Sequence, residues 1–230
     1  MNCFRPLPAA AVFDNDGLLL DTEEAWTRAE ETLFAGLGRT FTAEHKRYLL
    51  GSSRSLAEHK LEQLLERPGE GEALMDELHR LVMEEALKGV DPRPGALVLL
   101  ERLREAGVPL AVASNSEREF LERTLSSAGL LSGGPFAAIV SANDVRHPKP
   151  APDIYLEACR RLSAAPAEAV ALEDSQIGAA AAAAAGMFVI GVPYFAGTLI
   201  PGASMQAETL GAEAVARALG LAGGPSPAGA

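Results

Sequence analysis

The sequence is short of cysteine, of positive charge and of long uncharged apolar runs, and each shortage removes a class of function. Only two cysteines, Cys3 and Cys159, occur among 230 residues. Their spacing fits no zinc or redox motif, so a disulfide framework is excluded and a reducing compartment is expected. Lysine and arginine total 20 against 31 aspartates and glutamates, a formal net charge of −11. A broad basic face for nucleic acid or anionic lipid is therefore lacking, and any phosphate must be held locally. MNCFRPLPAA has no apolar stretch of the kind a secretory signal needs, and no segment stays free of charge long enough to span a bilayer. The expectation is a cytoplasmic monomer with neither a nucleic-acid nor a membrane partner.

What the chain does contain is 48% hydrophobic residues, ample for a core. The runs PAAAVF (8–13), VPLAVA (108–113), PFAAIV (135–140), AVAL (169–172) and MFVIGV (187–192) are short and lack polar alternation. That pattern predicts strands buried on both faces, as in a parallel sheet. Helical spacing lies between them at 95–106, 117–128, 153–162 and 177–185. Ser116 followed by Glu119 reads as a capping box, Ser175 as a helix cap, and Gly107 and Gly129 as helix-ending glycines. Alternating strand and helix predicts a doubly wound, Rossmann-like α/β core. From Thr22 to about Lys88 no strand is evident, and charged helical periodicity covers 23–37, 56–66 and 72–87. This predicts a helical cap at 22–88 inserted into a core made of 1–21 and 89–221, with GVDPRPG as a hinge. Residues 222–230, AGGPSPAGA, have too little apolar content to pack and are expected to be disordered. The alanine run from Ala179 predicts a helix lying close on the sheet.

In open α/β sheets ligands bind beyond the carboxyl ends of the strands. Asp14 and Asp16 follow the first strand, Ser114, Asn115 and Ser116 the second, and Glu173 and Asp174 the fourth. HPKPAPD, with Lys149 between prolines, follows the third. Four carboxylates converging on one cleft repel unless a cation neutralises them. An oxygen-only donor set selects a hard ion, and a site shared with water and phosphate suits Mg2+. Lys149, Ser114 and nearby backbone amides are the complementary donors for phosphate oxygens. Together they point to phosphoryl transfer. A calcium loop is a poor alternative for DNDG, because its glycine would stand sixth and Gly17 stands fourth.

FDNDGLLLDTE, the SNS after the second strand, KPAPDIY and LEDSQIGAAAAAAAGM are similar, in order and spacing, to the four signature motifs of the haloacid dehalogenase-like hydrolases. The resemblance is to the branch of phosphoglycolate phosphatase and β-phosphoglucomutase, and it covers nearly the whole chain, with the helical insertion resembling that branch's cap. It implies that Asp14 is a nucleophile forming an aspartyl phosphate and that Asp16 is the acid/base, its carbonyl also binding Mg2+. It further implies that Ser114, Asn115 and Lys149 hold the transferring group, that Asp174 ligates the metal, and that Glu173 does so directly or through water. The retained acids Asp16, Glu173 and Asp174 argue against carbon–halogen hydrolysis. Mutases of the branch carry a histidine soon after their DT dipeptide, where this chain has Trp26, and a lysine before the cap glycine, where it has Leu50. A phosphatase for a small phosphomonoester, such as a sugar phosphate or phosphoglycolate, is thus expected; a phosphomutase and a non-catalytic metal and phosphate binder are the alternatives. Within the cap, Trp26 is expected to pack, and Arg54 is the candidate to reach the substrate.

Overall fold

Strands of two to five mostly apolar residues suffice for this sheet because small side chains let both faces be covered closely. A computed structural model of the chain describes residues 6–49, 52 and 54–221. Cys3, Leu50 and the 222–230 tail lie outside the described residues. Asp21–Asp91 form one unit, and the rest of the described chain forms the other.

The second unit is the sheet domain. Its strands are β1 (Ala10–Phe13), β2 (Leu110–Ala113), β3 (Ala138–Val140), β4 (Ala169–Glu173), β5 (Phe188–Gly191) and β6 (Met205–Gln206). All pair in parallel, in the order β3-β2-β1-β4-β5-β6. The chain runs outward from β1 on one side and then returns to β4 on the other, so β1 and β4 flank the point where strand order reverses. Alanine supplies much of the pleat: Ala10, Ala11, Ala111, Ala113, Ala169 and Ala171 are almost fully buried. Helix α7 (Asp153–Arg161) packs on β1, β2 and β3, and α8 (Gln176–Ala184) on β4 and β5. The alanine run is therefore a close-packed helix, with Ala179, Ala181 and Ala182 buried against the sheet. Helices α5 (Ala96–Glu105), α6 (Arg118–Ser127) and α9 (Glu213–Ala218) complete the unit.

Among its described residues the other unit has four helices and no strand: α1 (Thr22–Gly36), α2 (Ala43–Leu49), α3 (Arg54–Leu65) and α4 (Gly71–Leu87). Helices α1 and α3 both pack on α4, burying Leu33, Phe34, Leu61, Leu74, Leu78 and Val82. Where the chain leaves one unit for the other, two stretches run in pairs. Leu20 bridges Pro92, the Asp21 N–H donates to the Asp91 carbonyl at 2.8 Å, and the Arg93 N–H donates to the Leu19 carbonyl at 2.8 Å.

Three elements were not expected from the sequence. Helices α2 and α9 are too short to show a period, and β6 contributes only two residues beside β5. The capping box expected at Ser116 is a correction. Helix α6 begins after Glu117, which makes no side-chain cap, and the Ser116 hydroxyl donates instead to Asp16 at 2.7 Å. The Asp16 carboxyl oxygen lies within reach and takes the hydroxyl from the helix end.

Candidate active site

Strand register places the acidic residues. Phe13 pairs with Leu172 across β1 and β4, so Asp14 and Glu173 emerge side by side where these strands end, and the Asp14 N–H closes the ladder on the Leu172 carbonyl at 3.0 Å. Beyond Asp14 the chain folds back at once. The Asn15 carbonyl accepts the N–H groups of Leu19 and Leu20 at 3.0 and 3.1 Å, and Gly17 turns the chain with φ of +79°. A Cβ at Gly17 would stand 2.4 Å from Asp174 Oδ2, so the tight turn and the space for Asp174 both require glycine.

Asp14, Glu173 and Asp174 each present an oxygen to one site, all within 4.8 Å of one another. Lys149 lies in the same place, its Nζ 2.5 Å from Asp14 Oδ1 and 2.6 Å from Glu173 Oε1. Its backbone is held by Asn115, whose side chain accepts the Lys149 N–H at 2.8 Å and donates to the Lys149 carbonyl at 3.0 Å. Glu173 is fully buried and both its oxygens are engaged. Oε1 accepts from Lys149 and, at 2.5 Å, from the Tyr155 hydroxyl; Oε2 accepts from the Ser175 hydroxyl at 3.1 Å. Ser175 in turn accepts the Gly178 N–H at 3.1 Å, capping α8 as expected. A Cβ on Gly178 would come within 2.0 Å of the Glu173 carboxyl carbon, so only glycine lets this acid lie over the first turn of α8.

Burial pushes the Asp14 carboxyl up to about 8, Lys149 opposing the rise and Glu173 and Asp16 adding to it. Burial also works against the Lys149 ammonium, but Asp14 and Glu173 outweigh it and raise the lysine above its usual value. The Tyr155 phenol is held well above its ordinary value by burial and by Glu173. An acid site with one lysine against several carboxylates is short of positive charge, and an all-carboxylate donor set of this size suits a hard divalent cation.

Asp16 faces another way. Its Oδ2 accepts the hydroxyls of Ser114 at 2.8 Å and Ser116 at 2.7 Å, and its Oδ1 accepts from the Asn15 amide at 3.2 Å. Of the acids expected to share a metal, the side chains of Asp14, Glu173 and Asp174 converge and that of Asp16 does not. Ser114, Asn115 and Lys149 are brought to the same sheet edge. Arg54 belongs to the helical unit, where its guanidinium meets Glu58 at 3.0 Å, Asp76 at 2.5 Å and His79 Nδ1 at 3.0 Å. Trp26, in that unit too, packs its ring 5.7 Å from that of His79. Sequence reasoning missed Tyr155, Asn15 and Gly178. Tyr155 closes the KPAPDIY stretch, and its hydroxyl was the available signal.

The comparisons with known proteins agree with the fold. The family model described as haloacid dehalogenase-like hydrolase matches residues 11–192. Protein CbbY of Rhodobacter capsulatus is 33% identical over 195 residues, covering 80% of this chain and 85% of its own. Fructose-1-phosphate phosphatase YqaB of Escherichia coli (strain K12) is 32% identical over 184 residues, covering 80% and 96%. The crystal structure of CbbY from Rhodobacter sphaeroides in complex with phosphate superposes with a TM-score of 0.74 at 29% identity, over 89% of this chain and 96% of that one.

Proposed function

The chain belongs to the haloacid dehalogenase-like hydrolases, and from that premise we propose that it is a magnesium-dependent phosphatase that hydrolyses a small organic phosphomonoester through an aspartyl phosphate on Asp14. The observation that carries the proposal is the placement of Lys149 2.5 Å from Asp14, beside the Asp14–Glu173–Asp174 cluster at the strand-order reversal. A carboxylate nucleophile needs a cationic partner for the phosphoryl oxygens; Asp14 follows β1, and the loop between β3 and α7 brings Lys149 to it.

Asp14 attacks phosphorus, forming a new P–O bond as the bond to the leaving alcohol breaks, and Asp16 gives that alcohol its proton. Asp16 then takes a proton from water, which attacks the same phosphorus and releases phosphate from Asp14. Lys149 offsets the charge on the transferring oxygens, and the Ser114 hydroxyl binds one of them. That hydroxyl is now on Asp16, so binding phosphate there exchanges one oxygen acceptor for another. A Mg2+ ion held by Asp14, Asp174 and the Asp16 carbonyl would neutralise charge and orient the phosphoryl group. Because Lys149, Tyr155 and Ser175 already occupy both Glu173 oxygens, that acid serves better to hold Lys149 than to ligate the metal directly.

Two relatives point to the substrate class, for they are named a fructose-1-phosphate phosphatase and a hexitol phosphatase. Phosphorylated sugars and sugar alcohols are accordingly the first substrates to try, with phosphoglycolate beside them. Trp26, standing where mutases of the branch have histidine, supports hydrolysis over phosphoryl exchange between positions of one sugar. The test is phosphate release from this panel with and without Mg2+. Metal-dependent turnover of at least one compound is expected; a panel with no release would remove the proposal.

A further inference from the structure

The site holds a buried phenol that the mechanism above does not use. Tyr155 is fully buried in α7, and its hydroxyl lies 2.5 Å from Glu173 Oε1, the oxygen that also accepts from Lys149. Its ring lies under the same lysine, with Nζ 5.0 Å from the ring centroid. One side chain therefore touches both partners of a buried ion pair, at its acid through a hydrogen bond and at its cation through the ring face.

We infer that Tyr155 is a positioning residue for the phosphoryl-transfer step, dividing Lys149 between Glu173 and Asp14 so that the ammonium stays on the nucleophile. The physical reason is competition. Lys149 stands 2.5 Å from Asp14 and 2.6 Å from Glu173. A hydroxyl donating to Glu173 Oε1 absorbs part of that oxygen's negative charge and so weakens its hold on the lysine. Remove the hydroxyl and Glu173, fully buried, must draw more on Lys149, which moves away from Asp14. The other Glu173 oxygen is fixed by Ser175 over the first turn of α8, so the carboxylate cannot turn to find a replacement donor.

The inference rests on the proposed phosphatase reaction, and a double-mutant cycle on an aryl phosphate tests it with the full-length protein and saturating Mg2+. Tyr155→Phe keeps the ring and loses only the hydroxyl. It is expected to lower kcat by about 10-fold, because a displaced catalytic cation costs rate, while KM changes little. Glu173→Gln removes the competing charge, and in that background Tyr155→Phe is expected to cost almost nothing further. Additive losses would make Tyr155 a packing residue and overturn the inference, as would an unchanged kcat in Tyr155→Phe. Should the phenylalanine variant prove unstable, 3-fluorotyrosine at position 155 keeps the ring and hydroxyl while altering donor strength. A shifted kcat at constant KM then supports the link, and an unmoved kcat overturns it. An inactive wild type would sink the phosphatase reading and the inference with it, whereas an active wild type with an unaffected variant sinks the inference alone.

Discussion

Each unit of the molecule sets a lysine between two carboxylates, and the two arrangements have different meanings. In the helical unit Lys46 lies 2.9 Å from Glu23 and 3.1 Å from Glu30, spaced along one face of α1. In the sheet unit Lys149 lies between Asp14 and Glu173. Burial raises one acid in each, Glu30 to about 7 and Asp14 to about 8, with the lysine opposing in both. The difference lies in the surroundings. Among the described residues the acids flanking Lys46 join no cluster of three that could hold a metal ion, whereas Asp14 and Glu173 stand with Asp174 at the carboxyl ends of strands, among donors that suit phosphate. A buried ion pair is thus not in itself a site. A surplus of negative charge on rigid strand ends, where strand order reverses, is what marks one.

The largest expected effect separates the two lysines. Lys149→Ala should lower kcat on an aryl phosphate by about 10³-fold or more, as expected for removing a group that stabilises transition-state charge. It should also cost about 3 kcal/mol in urea unfolding, since the acids it pairs stay buried. Lys46→Ala should leave that kcat within about twofold of wild type, because Glu30 can take up a proton when its partner goes. Similar losses from both would erase the distinction.

Metal binding gives the next effect. At a concentration about 100 times its Kd, Mg2+ should stabilise the protein by about 2.7 kcal/mol if it binds only the folded state. Thermal unfolding should therefore show Tm rising with Mg2+ and falling with chelator, and Asp174→Asn should abolish the response while Lys46→Ala keeps it. A shift that survives Asp174→Asn would place the ion elsewhere.

A smaller effect sharpens the helical side of the comparison. Glu30 has a folded-state pKa near 7, above the unfolded value of 4.5. The folded protein therefore holds the extra proton between these values, and its contribution to stability is full below pH 4.5 and lost as pH rises through 7. On the order of 3 kcal/mol is at stake. Glu30→Gln should flatten the fall in urea stability between pH 5 and pH 8, approximately, relative to wild type; an unchanged slope would show that Glu30 does not titrate there.

Arg54 is expected to give the smallest change. Its pairs with Glu58 and Asp76 are exposed, so Arg54→Ala should cost less than about 1 kcal/mol of stability. As a substrate contact it should lower kcat/KM for a sugar phosphate while sparing an aryl phosphate. No loss on either substrate would leave it a surface ion-pair residue.

Much of the site was legible because its chemistry stands directly after apolar runs. Asp14, Ser114 and Glu173 sit at strand ends, and period-free apolar runs mark the carboxyl ends of β1 to β5 to within a residue. The parallel sheet was legible for the same reason, whereas β6 and α2 fall below the length at which a period can be seen. Partners were harder to read than positions. Ser116 has the spacing of a helix cap, yet the competing acceptor, Asp16, is remote in sequence. Tyr155 reads as an apolar position on α7, and only the packing of α7 against the sheet brings its hydroxyl to Glu173. The pairing of Arg54 with Asp76 likewise joins α3 to α4, a contact that helical periodicity does not specify.

The central claim is that Asp14 carries the phosphoryl group during turnover, and trapping that intermediate tests it most directly. Wild-type protein is mixed with an aryl phosphate and Mg2+, quenched in acid within a turnover, digested and examined by peptide mass spectrometry. The account predicts a phosphoryl adduct on the peptide that contains Asp14, labile to hydroxylamine, and absent from Asp14→Asn, which should fold but release no phosphate. Steady turnover by Asp14→Asn, or an adduct on another residue of the wild type, would contradict it.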